Sequence, residues 1–133
     1  MKECKFCQIV KGEVKSWKVY EDRAIYAFFD IHPVNLYHTL IIPKKHYKDI
    51  FEIPEGELRK LISVVKKLTT VYHEKVGIEN VQIISCSGTS AQQSVFHLHF
   101  HIVPMHKGDP ENIKWIPKDK LVKEFDQLLE ALE

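Results

Sequence analysis

The sequence has almost no net charge: 19 Lys and Arg stand against 18 Asp and Glu, a formal balance of +1. Such a balance supplies no field to condense on a phosphate backbone or an anionic membrane, which disfavours polymeric nucleic acid and membrane as partners. Long apolar runs are also missing, since none approaches the roughly 18 residues of a membrane span. The opening Met1-Lys2-Glu3-Cys4 lacks the basic-then-apolar pattern of a signal peptide, and the expected location is cytoplasmic. Cysteine is scarce: three occur, an odd count that does not make a disulfide framework. Two of them, Cys4 and Cys7, lie close together, which fits metal or redox use in a reducing compartment. No repeat, linker or low-complexity tract interrupts the chain. Its 133 residues, 44% hydrophobic and 28% charged, suit a single domain over 1–133 with a real core.

What is present in quantity is histidine, at positions 32, 38, 46, 73, 97, 99, 101 and 106. Around these the apolar pattern predicts the elements. Phe6, Ile9 and Val10 share a helical face that ends at Gly12. Trp17 to Tyr20 and Ala24 to Phe29 read as a hairpin around Glu21-Asp22-Arg23, and His38 to Ile42 as a third strand closed by Pro43. Leu58, Leu61, Ile62, Val65, Leu68 and Tyr72 recur at helical steps, predicting a long helix with Pro54 in its first turn and Gly77 as its C-cap. Val81 to Ser85 is a fourth strand, and Val95 to Val103 alternates strictly enough to be a fifth. Lys120 to Leu132 reads as a closing amphipathic helix with Asp119 as N-cap. An order of helix, hairpin, strand, helix, hairpin, helix implies an α+β domain built on an antiparallel five-stranded sheet.

On a strand, His97, His99 and His101 fall on one face within about 7 Å of their neighbours. Three imidazoles there could be an exposed polar edge, could ligate a catalytic Zn²⁺ with an open water position, or could include one nucleophile oriented by the others. Asp30, set directly after Ala27-Phe28-Phe29 at a strand end, is a poor core residue, and reads either as a ligand-binding carboxylate or as a turn cap. The Cys4-x-x-Cys7 pair alone admits zinc, redox or two buried thiols. Cys86 reads as a small hydrophobe in a strand. His32, His73 and His106 have no motif context, and solvent exposure is their default.

The segment Gln93-Ser94-Val95-Phe96-His97-Leu98-His99-Phe100-His101-Ile102-Val103-Pro104 closely resembles the signature of the histidine-triad superfamily. Phe28-Phe29-Asp30-Ile31, His38-Thr39-Leu40-Ile41-Ile42-Pro43-Lys44-Lys45-His46 and Cys4-Lys5-Phe6-Cys7-Gln8-Ile9-Val10-Lys11-Gly12-Glu13 extend the likeness to the Hint branch, over roughly residues 4 to 104, with 105 to 133 as a C-terminal extension. The resemblance implies a nucleotide hydrolase or transferase that works through a nucleotidyl-histidine intermediate on phosphoramidate, acyl-adenylate or dinucleoside polyphosphate substrates. By position His99 is the expected nucleophile. His101 and His38 are expected to supply hydrogen bonds and positive charge to the phosphate, and Ser94 to face the leaving group. Gln93 and the main chain of Gly88, Thr89, Ser90 and Ala91 are expected to cradle phosphate oxygens. Asp30 would take the ribose diol, and Phe6, Ile9, Val14, Phe28, Ile31 and Leu40 would form the slot for a purine, adenosine being the family expectation.

The same resemblance implies a structural Zn²⁺ on Cys4, Cys7, His46 and His97, with no metal needed for catalysis. It also implies a homodimer whose sheets join, with the helix from Pro54 to Gly77 as a candidate partner surface. The alternatives are a zinc-stapled nucleotide-binding or interaction protein without catalysis, and a metallohydrolase with zinc on His97, His99 and His101. Five residues depart from the family pattern. Gln92 stands where glycine is usual, Cys86 where a polar amide is common, Leu36-Tyr37 where Pro-Gly is frequent, and Lys15 where proline is frequent. They surround the expected site without removing a catalytic residue, so an altered rate or leaving-group preference is expected of them.

Overall fold

The computed structural model describes residues 4–110 and 115–133; Met1 to Glu3, read above for the missing leader pattern, lie outside them. Helix α1 (Lys5–Val10) begins at Cys4, whose sulfur accepts the Cys7 amide at 3.5 Å. The hairpin of β1 (Lys18–Glu21) and β2 (Ile25–Phe29) turns where expected, closed by the Asp22 carboxylate, which accepts from the amides of Ala24 and Ile25 at 2.8 Å. β3 (Thr39–Pro43), the long helix α2 (Glu55–Val76), β4 (Val81–Ile84), β5 (Phe100–Pro104) and α3 (Phe125–Glu130) complete the order. The five strands form one sheet in the order β1-β2-β3-β5-β4, every pair antiparallel.

β2 and β3 are buried on both faces, which is why they read as unbroken apolar runs. Alternation divides their side chains between two cores. Ile25, Ala27, Phe29 and Ile41 face α2 with Leu61, Val65, Leu68 and Tyr72. Tyr26, Phe28, Leu40 and Ile42 face α1 with Phe6 and Ile9. His101 lies opposite Leu40 across the β3–β5 ladder, so the histidine of β5 belongs to the α1 side.

Four expectations are corrected. Pro54 stands just before the first turn of α2 as its N-cap, while Gly77 does cap the other end at φ 73°. β5 starts at Phe100 and not at Val95, so His97 and His99 precede the strand. The ladder pairs Ile41 with Phe100 and then meets Pro43, which has no N–H to donate. Beyond it the Leu98 amide turns to the Tyr47 carbonyl at 2.7 Å. The closing helix is divided as well: Asp119–Glu124 is a 3₁₀ turn, and only Phe125–Glu130 is α-helical. Phe125 anchors this end between Trp17 and Phe29, ring centroids 5.4 and 5.0 Å away. Asp119 caps nothing with its side chain and pairs with His32 at 3.2 Å.

Candidate active site

Between α1 and the sheet lies a cavity of about 330 Å³. Phe6, Ile9, Val14, Phe28, Ile31 and Leu40, the six residues expected in a base slot, all line it. Asp30, Ser94, His99 and His101 line it too. These residues reach one place because α1, the ends of β2 and β3, and the start of β5 converge on the same face of the sheet.

The hydrogen bonds of the histidines assign their tautomers, because a carbonyl only accepts and a backbone N–H only donates. His99 Nδ1 is 2.8 Å from the His97 carbonyl, so Nδ1 carries the proton and Nε2 keeps a free lone pair. The Val34 amide donates to His38 Nδ1 at 3.0 Å, leaving the proton of His38 on Nε2. That Nε2–H donates to His101 Nδ1 at 2.9 Å, which leaves His101 with an Nε2–H of its own. His99 thus presents a free Nε2 lone pair, and its neighbour His101, with ring centroids 5.0 Å apart, presents an Nε2–H. Burial pushes all three below the ordinary histidine value of 6.5, His38 to about 4. For His38 the charge of His99 adds to burial, and for His101 that of His38 does. His38 and His101 are therefore neutral near pH 7 in this structure, held in one hydrogen bond from His38 Nε2 to His101 Nδ1.

Asp30 serves both as a turn cap and as a wall of the cavity. Its Oδ1 accepts from the His32 amide at 2.8 Å, and its Oδ2 lies 3.4 Å from His38 Nε2. Although Asp30, His38 and His101 sit close enough to suggest a metal site, His38 Nε2 is committed as a donor and offers that site no lone pair.

His97 faces elsewhere. Its Nε2–H donates to the Pro43 carbonyl at 2.7 Å, which frees Nδ1 toward Cys4 Sγ at 3.3 Å and Cys7 Sγ at 3.5 Å. His46 Nδ1 lies 3.5 Å from Cys7 Sγ. Tetrahedral zinc with bonds of about 2.0–2.3 Å sets its ligands roughly 3.5 Å apart, so Cys4, Cys7, His46 and His97 could hold a metal ion. The second hydrogen bond of His97 fixes its tautomer as metal-ligating histidines require. The reading with zinc on His97, His99 and His101 fails, because His97 Nδ1 points at the cysteines while His99 Nδ1 binds main chain.

The family model of the HIT domain matches residues 11–108. The chain belongs to the HIT family. An uncharacterized HIT-like protein of Methanocaldococcus jannaschii is 42% identical over 127 residues, which is 92% of this chain and 98% of that one. A Candida albicans protein named adenosine 5'-monophosphoramidase is 36% identical, covering 97% of this chain and 91% of its own. A crystal structure of a zinc-bound histidine triad family protein from Mycobacterium smegmatis superposes with a TM-score of 0.83 at 30% identity, over 98% of this chain and 93% of that one.

Some HIT residues sit otherwise than expected. Gln93 is buried, its Oε1 accepting from the Gly88 amide at 2.7 Å and its Nε2 donating to the carbonyls of Lys48 and Val95 at 2.7 and 3.1 Å. Its amide holds the loop and is not offered to a phosphate. The amides of Ala91, Gln92 and Gln93 likewise bond within the loop, and Thr89–Ala91 form a 3₁₀ turn. The loop lines the cavity through Gln92, Ser94 and Val95. Cys86 lies past the end of β4 and lines the cavity, which corrects its reading as a strand residue. His73 Nδ1 is not simply exposed but binds the Ile78 carbonyl at 2.8 Å.

Several residues lining the cavity were missed, Trp115 and His32 among them. The Trp115 indole lies over the site, its centroid 4.9 Å from that of His101 and 5.7 Å from that of His38. A lone tryptophan in a Lys- and Pro-rich stretch was the available signal. His32 also lines the cavity and links it to Asp119. Among the described residues only Tyr37 and Gln92 are non-glycine residues with positive φ, 66° and 74°. Both are positions where glycine was expected from the family pattern.

Proposed function

We propose that the protein is a hydrolase that releases a nucleoside monophosphate, AMP in the first instance, through a covalent intermediate on His99. The observation that carries this reading is the bond from His99 Nδ1 to the His97 carbonyl, which leaves the Nε2 lone pair of a neutral imidazole at an apolar cavity. Nε2 attacks the α-phosphorus, the N–P bond forms, and the bond from phosphorus to the leaving group breaks. The Ser94 hydroxyl faces the departing atom and assists its protonation. The His101 Nε2–H donates to a phosphate oxygen where charge develops, and His38 holds it there. Water then attacks the same phosphorus, releases the nucleoside monophosphate and restores His99. Asp30 takes the ribose, and the wall of Phe6, Ile9, Phe28, Ile31 and Leu40 takes a purine. The Candida albicans relative, named for the monophosphoramidase activity, supports the reaction class.

Zinc on Cys4, Cys7, His46 and His97 would tie α1, the β3 exit and the approach to β5 together, a structural duty that leaves the phosphorus to His99. The sheet would extend in a homodimer across β4, the edge strand beside β5, whose Val81 and Ile83 are 37% and 41% exposed.

The test is AMP release from adenosine 5'-phosphoramidate, with and without a chelator. Wild type should turn over in both conditions and His99→Ala in neither. Equal rates for the two proteins would overturn the role of His99. AMP binding without turnover in wild type would leave a binding protein in place of an enzyme.

A further inference from the structure

Gln92 holds a backbone conformation that side chains other than glycine rarely adopt, φ 74° and ψ 21°, at the end of the Thr89–Ala91 turn. Glycine reaches this left-handed region without steric conflict, whereas a residue with a Cβ does not. Nothing in the packing accounts for the choice. The side chain is exposed, and its amide has no hydrogen-bond partner among the described residues. The Gln92 amide N–H already bonds the Thr89 carbonyl at 2.9 Å, so glycine would keep the turn. Gln92 does line the cavity, where it shares a wall with Ser94, Val95 and Cys86. Strain at a ligand-facing position, with no compensating contact inside the protein, points to a function in the ligand's direction.

We infer that Gln92 is a specificity-determining residue that narrows the leaving-group side of the cavity and selects compact leaving groups. The inference rests on the hydrolase reading above, which places Ser94, two residues further along the same loop, at the departing atom. Gln92 acts in two ways. Its bulk occupies space that glycine would leave to a large amine or a second nucleoside. Its amide offers a donor and an acceptor to a small polar group such as ammonia, or to an oxyanion. A polar pairing at the leaving group adds a hydrogen-bond requirement to the steric one.

The experiment compares two substrates, adenosine 5'-phosphoramidate and its N-alkyl derivative carrying a bulky aromatic amine, in wild type and Gln92→Gly. The readout is the ratio of kcat/KM values between substrates, with thermal unfolding as the control for folding. Gln92→Gly should shift the ratio toward the bulky substrate by about tenfold or more, the size expected when a pocket gains or loses a small side chain. Its Tm should equal or exceed that of wild type, because glycine relieves the backbone. An unchanged ratio in a well-folded variant overturns the inference. Affinities of the same two compounds for His99→Ala, with and without Gln92→Gly, measure the discrimination without turnover. A wild type that hydrolyses neither compound therefore sinks the hydrolase reading, while the binding ratio still decides the role of Gln92.

Discussion

Tyr37 offers a test in which the usual ranking of substitutions should reverse. Its backbone sits at φ 66°, immediately before His38, and its ring is buried with 8% of its surface exposed. The ring packs against Phe29 and Tyr72, centroids 5.7 and 5.1 Å away, and its hydroxyl donates to the Leu128 carbonyl of α3 at 3.1 Å. Its own carbonyl accepts from Thr39 Oγ1 at 2.7 Å. A left-handed conformation costs a residue with a Cβ roughly 1–2 kcal/mol. Burial of an aromatic ring outweighs that, since truncating one to alanine loses about 3–5 kcal/mol. The ring, then, explains how tyrosine persists where glycine would be easier.

Tyr37→Phe keeps ring and strain and loses only the hydroxyl bond, about 1 kcal/mol. Tyr37→Ala loses the ring and keeps the strain, about 4 kcal/mol. Tyr37→Gly loses the ring and the strain together, about 3 kcal/mol, the difference being roughly the 1 kcal/mol that a left-handed Cβ costs. In a helix or strand glycine is worse than alanine by roughly 0.5–1 kcal/mol, so the expected order at Tyr37, Phe above Gly above Ala, is inverted. Urea unfolding of the three variants reads these differences directly, with unchanged m-values as the sign that only stability moved. Alanine equal to or better than glycine would refute the strain argument. A phenylalanine variant as damaged as alanine would refute the claim that ring packing holds the position.

Three further outcomes follow from the site. Because burial lowers the pKa of His99, its neutral nucleophilic form persists below the ordinary value of 6.5, and the acid limb of kcat/KM should lie below that pH; a limb above it contradicts the assignment. His38 is pushed from 6.5 to about 4, so the unfolded chain takes up its proton first as pH falls; stability is complete above 6.5 and declines down to about 4, by up to ~3 kcal/mol, and a urea midpoint constant between pH 7 and 4.5 would exclude this. Metal analysis should find one zinc per chain that survives His99→Ala and disappears with Cys4→Ser plus Cys7→Ser; a chelator should lower the Tm while wild type continues to release AMP, and loss of zinc in His99→Ala would place the metal elsewhere.

The legible parts of the chain were those where local pattern and tertiary need agree. β2, β3 and α2 have long apolar signals that no neighbour overrides, and the base-slot residues fall on the cavity because period two puts Phe28 and Leu40 on one face. The illegible parts were decided by groups distant in sequence. Strict alternation through Val95 to Val103 suggested one strand, yet its first half runs opposite Pro43, whose missing N–H ends the ladder. The stripe in Lys120 to Leu132 suggested one helix, but Phe125 has its place between Trp17 and Phe29, and the preceding chain is tied by the Lys118 amide to the Pro33 carbonyl at 2.7 Å. Gln93 and Gln92 exchanged expectations for a similar reason. The residue read as a phosphate ligand closes the loop from within, and the residue read as a departure from the pattern lines the cavity.

The histidine spacing, too, carries less than its face-sharing geometry suggested, since identical side chains at alternate positions have been given different work by their backbone partners. A carbonyl against Nδ1 makes His99 a base at Nε2. A carbonyl against Nε2 makes His97 a base at Nδ1, aimed at the cysteines. An amide against His38 Nδ1 makes its Nε2 a donor, and through it makes His101 a donor at its own Nε2. Each assignment holds only while the imidazoles are neutral, and neutrality comes from burial, to which the apolar cavity wall contributes: the Phe6 ring stands edge-on to His99 with centroids 5.2 Å apart. The apolar wall that would hold a purine in the proposed function would therefore also keep His99 unprotonated. Polar substitutions there, Leu40→Asn for example, should raise the His99 pKa and lower base affinity together, whereas conservative apolar exchanges should leave the acid limb in place.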